Sequence, residues 1–179
     1  MPTFEYHDPD ELEEVLSLLA ELGDEAKVIS GGQSLLPLLA TRLAQPAHLV
    51  DLGRVVGLRS LQDQGDHVAF GATTSEGDAE RSAIVQDRLP LLAEALPFIG
   101  HVAIRNRGTI AGSLAHADPA AELPAVLVAL GGEVVVRSVR GERIVQADDL
   151  FRGYLTTSLD DDEVIVEVRL PTAPPASGW

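Results

Sequence analysis

The sequence predicts an α+β chain made of two small subdomains that join near residues 53–57. Three features point there. Residues 3–52 alternate short apolar runs with helical periods in the order β-α-β-α-β. From residue 57 onward the pattern turns to hairpins, at 57–72 and 133–145, around a helical middle. The last clear element, EVIVEVRLP (163–171), alternates apolar and polar residues as a half-buried strand does. At 179 residues the chain is long enough to bury a substantial core.

TFEYH (3–7) reads as a short strand. Asp8 then suits a helix N-cap, with Pro9 at the first helical position. Val15, Leu16, Leu18, Leu19 and Leu22 make an apolar face at helical spacing, and Gly23 marks its end. KVIS (27–30) is a strand, GGQS a loop and LLPLLATRL (35–43) a short helix. Pro37 falls in that helix's first turn, where no amide bond is lost. HLVDL (48–52) is the next strand. GLRSLQDQGDHVAFGA (57–72) forms a hairpin about Gln64-Gly65-Asp66, and RLPLLAEALPFI (88–99) is helical. IRNRGTIAGSLAHADPAAE (104–122) shows no long period of either kind. LPAVLVAL (123–130) is a helix, EVVVRSVRGERIV (133–145) a hairpin turning near Arg140-Gly141, and FRGYLTTSL (151–159) irregular. The proline-rich end, 172–179, is expected to be a linker or frayed tail. There is no internal repeat.

Composition removes several function classes. With 45% hydrophobic and 23% charged residues the chain matches ordinary globular proteins. No apolar run approaches the about 20 residues needed to span a membrane. The acidic N-terminus, MPTFEYHDPDELEE, is unlike a secretory signal, so a cytoplasmic location is expected. The absence of cysteine excludes disulfides, thiolate-bound zinc and an iron–sulfur cluster held by this chain alone. A net charge of −15 argues against nucleic acid and anionic membrane surfaces as partners. It leaves room for a local anion site, because backbone amides supply positive potential where side chains do not.

Chemistry-bearing side chains are sparse. His7, His48, His67, His101 and His116 follow neither a His-x₃-His nor an HExxH spacing, and no metal site is expected. Asp160 to Glu163 reads as a solvated turn, and Asp118-Pro119 as a turn leading into the next helix. Ser34 and Ser113 lack a hydrolase elbow, so no nucleophile and no catalytic residue is expected. Tyr6 and Tyr154 read as packing residues.

The informative segments are two glycine loops. SGGQSL (30–35) lies between a strand and a helix start. Glycines there let the backbone approach a ligand closely, and successive amides can point at one anion. Ser34 offers a hydroxyl donor or, equally, a cap for the helix at Leu35. Taken alone the loop is either a capped turn or an anion cradle. RGTIAGS (107–113) again combines glycine with hydroxyl residues, with Arg105 and Arg107 alongside. It is either a second jaw of one anion clamp or a tight buried turn whose arginines meet solvent or local acids.

With these residues in place, the chain resembles the FAD-binding medium subunit of molybdenum hydroxylases, of the carbon monoxide dehydrogenase and xanthine dehydrogenase type. The resemblance runs from the N-terminus to about Pro171. SGGQSLLPLLATRLAQPAHLVDL is similar to that family's first FAD loop and following strand, and GATTSEGDAE to its next segment. IRNRGTIAGSLAHADPAAELP is similar to the second FAD loop, usually IRNRGTIGGN, and FRGYLTTSLDDDEVIVEVRLP to the closing strand. The resemblance implies a two-subdomain FAD-binding fold of the PCMH (vanillyl-alcohol oxidase-like) type, with subdomains at 1–55 and 56–171. It implies that Ser30, Gly31, Gly32, Gln33, Ser34 and Leu35 form the first loop around the pyrophosphate, and Thr109, Gly112 and Ser113 the second. Glu122 matches an acidic position, usually Asp, that hydrogen-bonds the nucleotide part. Ile165 matches an apolar residue against the flavin, and His101 a position near the cofactor.

The implied partners are a molybdenum-cofactor large subunit and a 2Fe-2S small subunit. The implied role is electron transfer from iron–sulfur clusters through FAD to NAD⁺, a quinone or another acceptor. A second reading is a non-catalytic FAD-binding or assembly module. Two departures stand out. Ala111 replaces the first glycine of the usual pair, which is tolerable if its φ is negative. The family also continues into a C-terminal domain of roughly 100 residues, an ordinary domain size, that begins with a Tyr-x-Lys segment enclosing the flavin. This chain lacks that domain, so a flavin bound by it alone is expected to be more exposed on one side.

Overall fold

A computed structural model describes residues 4–172 and shows mixed helices and sheets. The N-terminal part runs β1 (Glu5–His7), α1 (Leu12–Leu22), β2 (Ala26–Ile29), α2 (Leu35–Ala40) and β3 (His48–Asp51). Its strands form a parallel sheet in the order β1-β3-β2, with Glu5 opposite His48 and Val28 opposite Val50. Parallel pairing requires crossovers, which α1 and α2 supply. Val15, Leu16 and Leu19 of α1 are buried, and Gly23, with φ +54°, turns the chain out of the helix.

The rest runs β4 (Leu61–Asp63), β5 (His67–Gly71), α3 (Glu76–Glu80), α4 (Ala83–Arg88), α5 (Pro90–Ala95), α6 (Val102–Arg105), α7 (Ile110–His116) and α8 (Glu122–Leu130). It ends with β6 (Glu133–Ser138), β7 (Gly141–Gln146), α9 (Ala147–Leu150), β8 (Phe151–Gly153), β9 (Thr156–Thr157) and β10 (Val164–Pro171). An antiparallel sheet takes the order β4-β5-β10-β6-β7, so the last strand lies in its middle. One apolar cluster runs from Val15, Leu19 and Val50 through Phe70, Leu92, Leu114 and Leu127 to Val168, linking both sheets. Among the described residues no helix is long and apolar enough to cross a membrane.

Several expectations change. Asp8 does not cap α1. The helix starts after Glu11, while Asp8 pairs with Arg54 at 3.0 Å and the Asp10 carbonyl accepts from Val56 N. The linker is thereby tied to the chain after β3 and held off the helix. The single helix expected at 88–99 is broken at Leu89, because Pro90 disfavours helical backbone in the residue before it. Pro90 instead opens α5, and a 3₁₀ turn, Leu96–Phe98, follows. The segment 104–122 contains α7 and the end of α6, and 151–159 contains the ribbon β8–β9. Asp160 to Glu163 is the expected turn before a strand, with Asp160 and Asp161 exposed, but its end is anchored: Arg143 grips Glu163 through bonds of 2.7 and 2.6 Å, and Arg140 pairs with Asp160 and Asp162. Tyr6 and Tyr154 are surface residues, 52% and 76% exposed. Of the tail expected at 172–179, all but Thr172 lies outside the described residues.

Phe70 on β5 is fully buried in the shared cluster. Phe70→Ala is expected to lower stability by about 3–5 kcal/mol, seen as a lower urea midpoint at unchanged slope. A loss below about 1 kcal/mol would place Phe70 outside the core on which the fold rests.

Candidate functional site

The two glycine loops meet. Gly31 follows β2 and lies on the backbone of Arg107–Gly108. A Cβ on Gly31 would come within 2.8 Å of Gly108 Cα and would overlap the Arg107 carbonyl oxygen. Thr109 donates to Ser30 Oγ at 3.2 Å, and Ser30 donates to the Ala72 carbonyl at 3.3 Å. The second loop is tied down from behind: Glu76 N donates to the Gly108 carbonyl at 2.8 Å and Ile110 N to the Thr74 carbonyl at 3.2 Å.

A cleft of about 460 Å³ opens beside this contact. That falls within the about 300–1,000 Å³ usual for small-molecule sites. It is lined by Ser30, Gly31, Gly32, Gln33, Ser34, Leu35, Thr109, Gly112, Ser113, Glu122 and Ile165. Of the residues that the resemblance implies around the cofactor, all but His101 are in that lining; His101 is exposed at the N-cap of α6. Ile165 is buried where the β10–β6 register shifts, a bulge of the kind that re-aims side chains beside binding sites.

The first loop is not a capped turn. Ser34 has helical backbone angles, φ −96° and ψ −47°, and its hydroxyl makes no capping bond. The amides of Gly31, Gly32, Gln33 and Ser34 donate to no acceptor among the described residues. Gly32 holds φ +73°, a left-handed conformation that glycine adopts readily. These four residues line the cleft, and orphan amides at a helix start attract anions.

The second loop is organised differently. Thr109 caps α7, its Oγ1 accepting from Gly112 N at 3.1 Å. A Cβ on Gly112 would come 2.6 Å from that oxygen, so this glycine makes room for the cap. Ala111 is helical within α7 and has no positive φ, which removes the steric objection to an alanine there. Arg105 is not a free anion ligand. It is buried, holds Glu80 through two bonds of 2.9 Å, and donates to the Ile99 and Gly100 carbonyls. Arg105 thus pairs with a local acid and Arg107 is exposed; neither is in the cleft's lining, whose positive groups are the loop amides and Lys27.

Among the cleft residues that the sequence did not point to, Glu76 stands out chemically. Glu76 opens α3 behind the Ser75 cap, is 4% exposed, and its Oε2 has no hydrogen-bond partner. Burial pushes its carboxyl up to about 7; the Glu122 carboxylate adds to this and the Arg105 guanidinium opposes it. The one signal in sequence was an acid set among small residues in GATTSEGDAE.

A carboxyl whose folded value exceeds its unfolded one weakens the fold as pH rises, here between about 4.5 and about 7. Glu76→Gln is therefore expected to be roughly 2–3 kcal/mol more stable than the natural chain near pH 8, and level with it near pH 4. Denaturant titrations across that range check this, and a gap that does not vary with pH would contradict it.

Comparison with known proteins bears on this cleft. The family model described as the FAD binding domain in molybdopterin dehydrogenase matches residues 2–173. The carbon monoxide dehydrogenase medium chain of Hydrogenophaga pseudoflava is 45% identical over 178 residues, covering 99% of this chain and 62% of the relative. The nicotine 6-hydroxylase medium subunit of Paenarthrobacter nicotinovorans is 48% identical over 179 residues, 100% of this chain and 62% of the relative. A solved structure of carbon monoxide dehydrogenase from Hydrogenophaga pseudoflava superposes with a TM-score of 0.97 at 46% identity, over 99% of this chain and 62% of that one. Quinoline 2-oxidoreductase from Pseudomonas putida 86 gives 0.92 at 40% identity, over 96% of this chain and 60% of that one. The chain thus spans about three fifths of the length of these relatives. It belongs to the family of FAD-binding domains of molybdopterin dehydrogenases, and its cofactor is FAD.

Proposed function

We propose that this chain is the flavin-holding part of a molybdenum-dependent hydroxylase or dehydrogenase, an oxidoreductase of several subunits. Residues 1–55 and 56–171 act as the two subdomains of a PCMH-type fold that close on FAD. The observation that carries this reading is the run of unpartnered amides at Gly31–Ser34 beside the contact with the second loop. A pyrophosphate needs donors and local positive potential, and in a chain of net charge −15 the loop backbone supplies both.

Around that anchor each residue has a part. The Ser34 and Ser113 hydroxyls donate to phosphate oxygens, while Thr109 keeps α7 and Ser30 in place. Glu122 accepts from hydroxyl groups of the nucleotide part. Ile165, with Ile99, Ile104 and Leu159, offers an apolar wall to the ring system. FAD held there would supply the redox chemistry, linking the iron–sulfur clusters of a small partner subunit and a molybdenum-cofactor subunit to an external acceptor. The chain's own work is binding, orientation and electrostatics, and no acid–base side chain is required of it.

Purified chain incubated with FAD is expected to become yellow, retain about one flavin per chain after gel filtration, and release it on denaturation. Gly32→Val places a side chain at φ +73° and within 3.0 Å of Leu36 Cδ1. It is expected to keep the circular dichroism of the fold and bind FAD at least about tenfold more weakly, equivalent to about 1.4 kcal/mol. A natural chain that stays colourless, or a Gly32→Val variant that binds equally well, would overturn the assignment of this loop to the pyrophosphate.

A further inference from the structure

The parallel pairing of β1 with β3 assembles a second group of chemistry-bearing side chains, away from the cleft. Glu5 lies directly opposite His48, and His7 is two residues along β1, so all three project from one face of the sheet. His7 Nε2 lies 3.1 Å from His48 Nδ1, and the same His48 nitrogen lies 3.6 Å from Glu5 Oε2. All three candidate donor atoms fall within 4.8 Å of one another. The rings stand with centroids 5.4 Å apart and planes tilted by 36°.

These spacings match a coordination shell. A tetrahedral ion bound at about 2.0–2.1 Å has ligand atoms about 3.3–3.4 Å apart. The two measured separations, 3.1 and 3.6 Å, straddle that value. The donor set also has the right chemistry: two imidazoles and a carboxylate suit zinc and neighbouring first-row divalent cations. The His48 side chain is 19% exposed and that of Glu5 68% exposed, so an ion can reach the group from solvent on a largely fixed base. The chain's net charge of −15 favours the approach of a cation. With three protein ligands, a fourth position stays open to water.

We propose that Glu5, His7 and His48 form a divalent-cation site of the zinc type that clips the edge strand β1 to β3. His–x₃–His spacing could not have revealed it, because the two histidines are 41 residues apart and meet only through strand register. The simpler alternative is a bare hydrogen bond between the two rings, which predicts no specific uptake.

The test uses the full chain without an affinity tag, titrated with Zn²⁺ by equilibrium dialysis and with Co²⁺ by visible absorption. The natural chain is expected to take up one ion saturably, show the intense absorption of tetrahedral Co²⁺, and unfold at higher temperature with Zn²⁺ present. His48→Ala and His7→Ala are each expected to weaken uptake by more than about 100-fold, beyond the effect of losing an outer hydrogen-bond partner. His101→Ala, outside the cluster, is expected to leave it unchanged. His7→Ala lies on an edge strand, so it keeps the test open should His48→Ala fail to fold. Absence of saturable one-to-one uptake, or uptake that His7→Ala leaves unmoved, would overturn the proposal.

Discussion

The close approach of Gly31 to the Arg107–Gly108 backbone is the constraint on which the rest of the site depends. It brings the end of β2, from the parallel sheet, onto the loop before α7, which packs on the antiparallel sheet. A side chain at Gly31 would separate the two. The bond from Thr109 to Ser30 would then lose its partner. The cleft opens beside this backbone contact, with Leu35, Ser113 and Ile165 in its lining. Much of the shared core serves to hold this contact: Leu114 of α7, Val168 of β10 and Val50 of β3 belong to one cluster.

The electrostatics follow from the same arrangement. The cleft contains the acids Glu76, Asp118, Glu122 and Glu163, and the adjacent Arg105 is already committed to Glu80. Glu163 is held by Arg143, which keeps its carboxyl below the ordinary range. Glu76 has no such partner and is held neutral or charged by the balance between burial, Glu122 and Arg105. An anion entering this cleft therefore meets backbone donors at Gly31–Ser34, Lys27, which is itself paired with Asp161 at 3.8 Å, and carboxyl groups elsewhere. That polarity distinguishes the phosphate end of a ligand from its hydroxyl-bearing and apolar parts.

Long elements were legible in the sequence because they repeat. The apolar face of α1, the run of α8 and the alternation of β10 each extend far enough for a period to register. The helices α3, α4, α6 and α7, of four to seven residues, are too short for that. Two of them, α3 and α7, are defined by caps at Ser75 and Thr109 and by the Ser75–Thr109 bridge, which exists only in the folded chain, while α4 and α6 have no side-chain cap. Asp8 carried a good local cap signal and lost to its pair with Arg54 and to the bond from Val56 N to the Asp10 carbonyl. The glycine loops were readable because glycine and hydroxyl residues cluster there. Their division of labour was not, since free amides at one loop and a capped helix at the other depend on backbone angles. Glu76 and the His7–His48 pair were hidden because burial and strand register leave no mark on neighbouring residues.

The central claim is that the amides after β2 hold the cofactor's phosphates. Its most direct test is a titration of ¹⁵N-labelled chain with FAD and, separately, with riboflavin, which carries the same ring system without phosphate. Large amide shifts are expected for Gly31, Gly32, Gln33 and Ser34 with FAD, and little change at these positions with riboflavin. Equal shifts with both ligands, or FAD-induced shifts confined to residues away from 30–35 and 109–113, would contradict it.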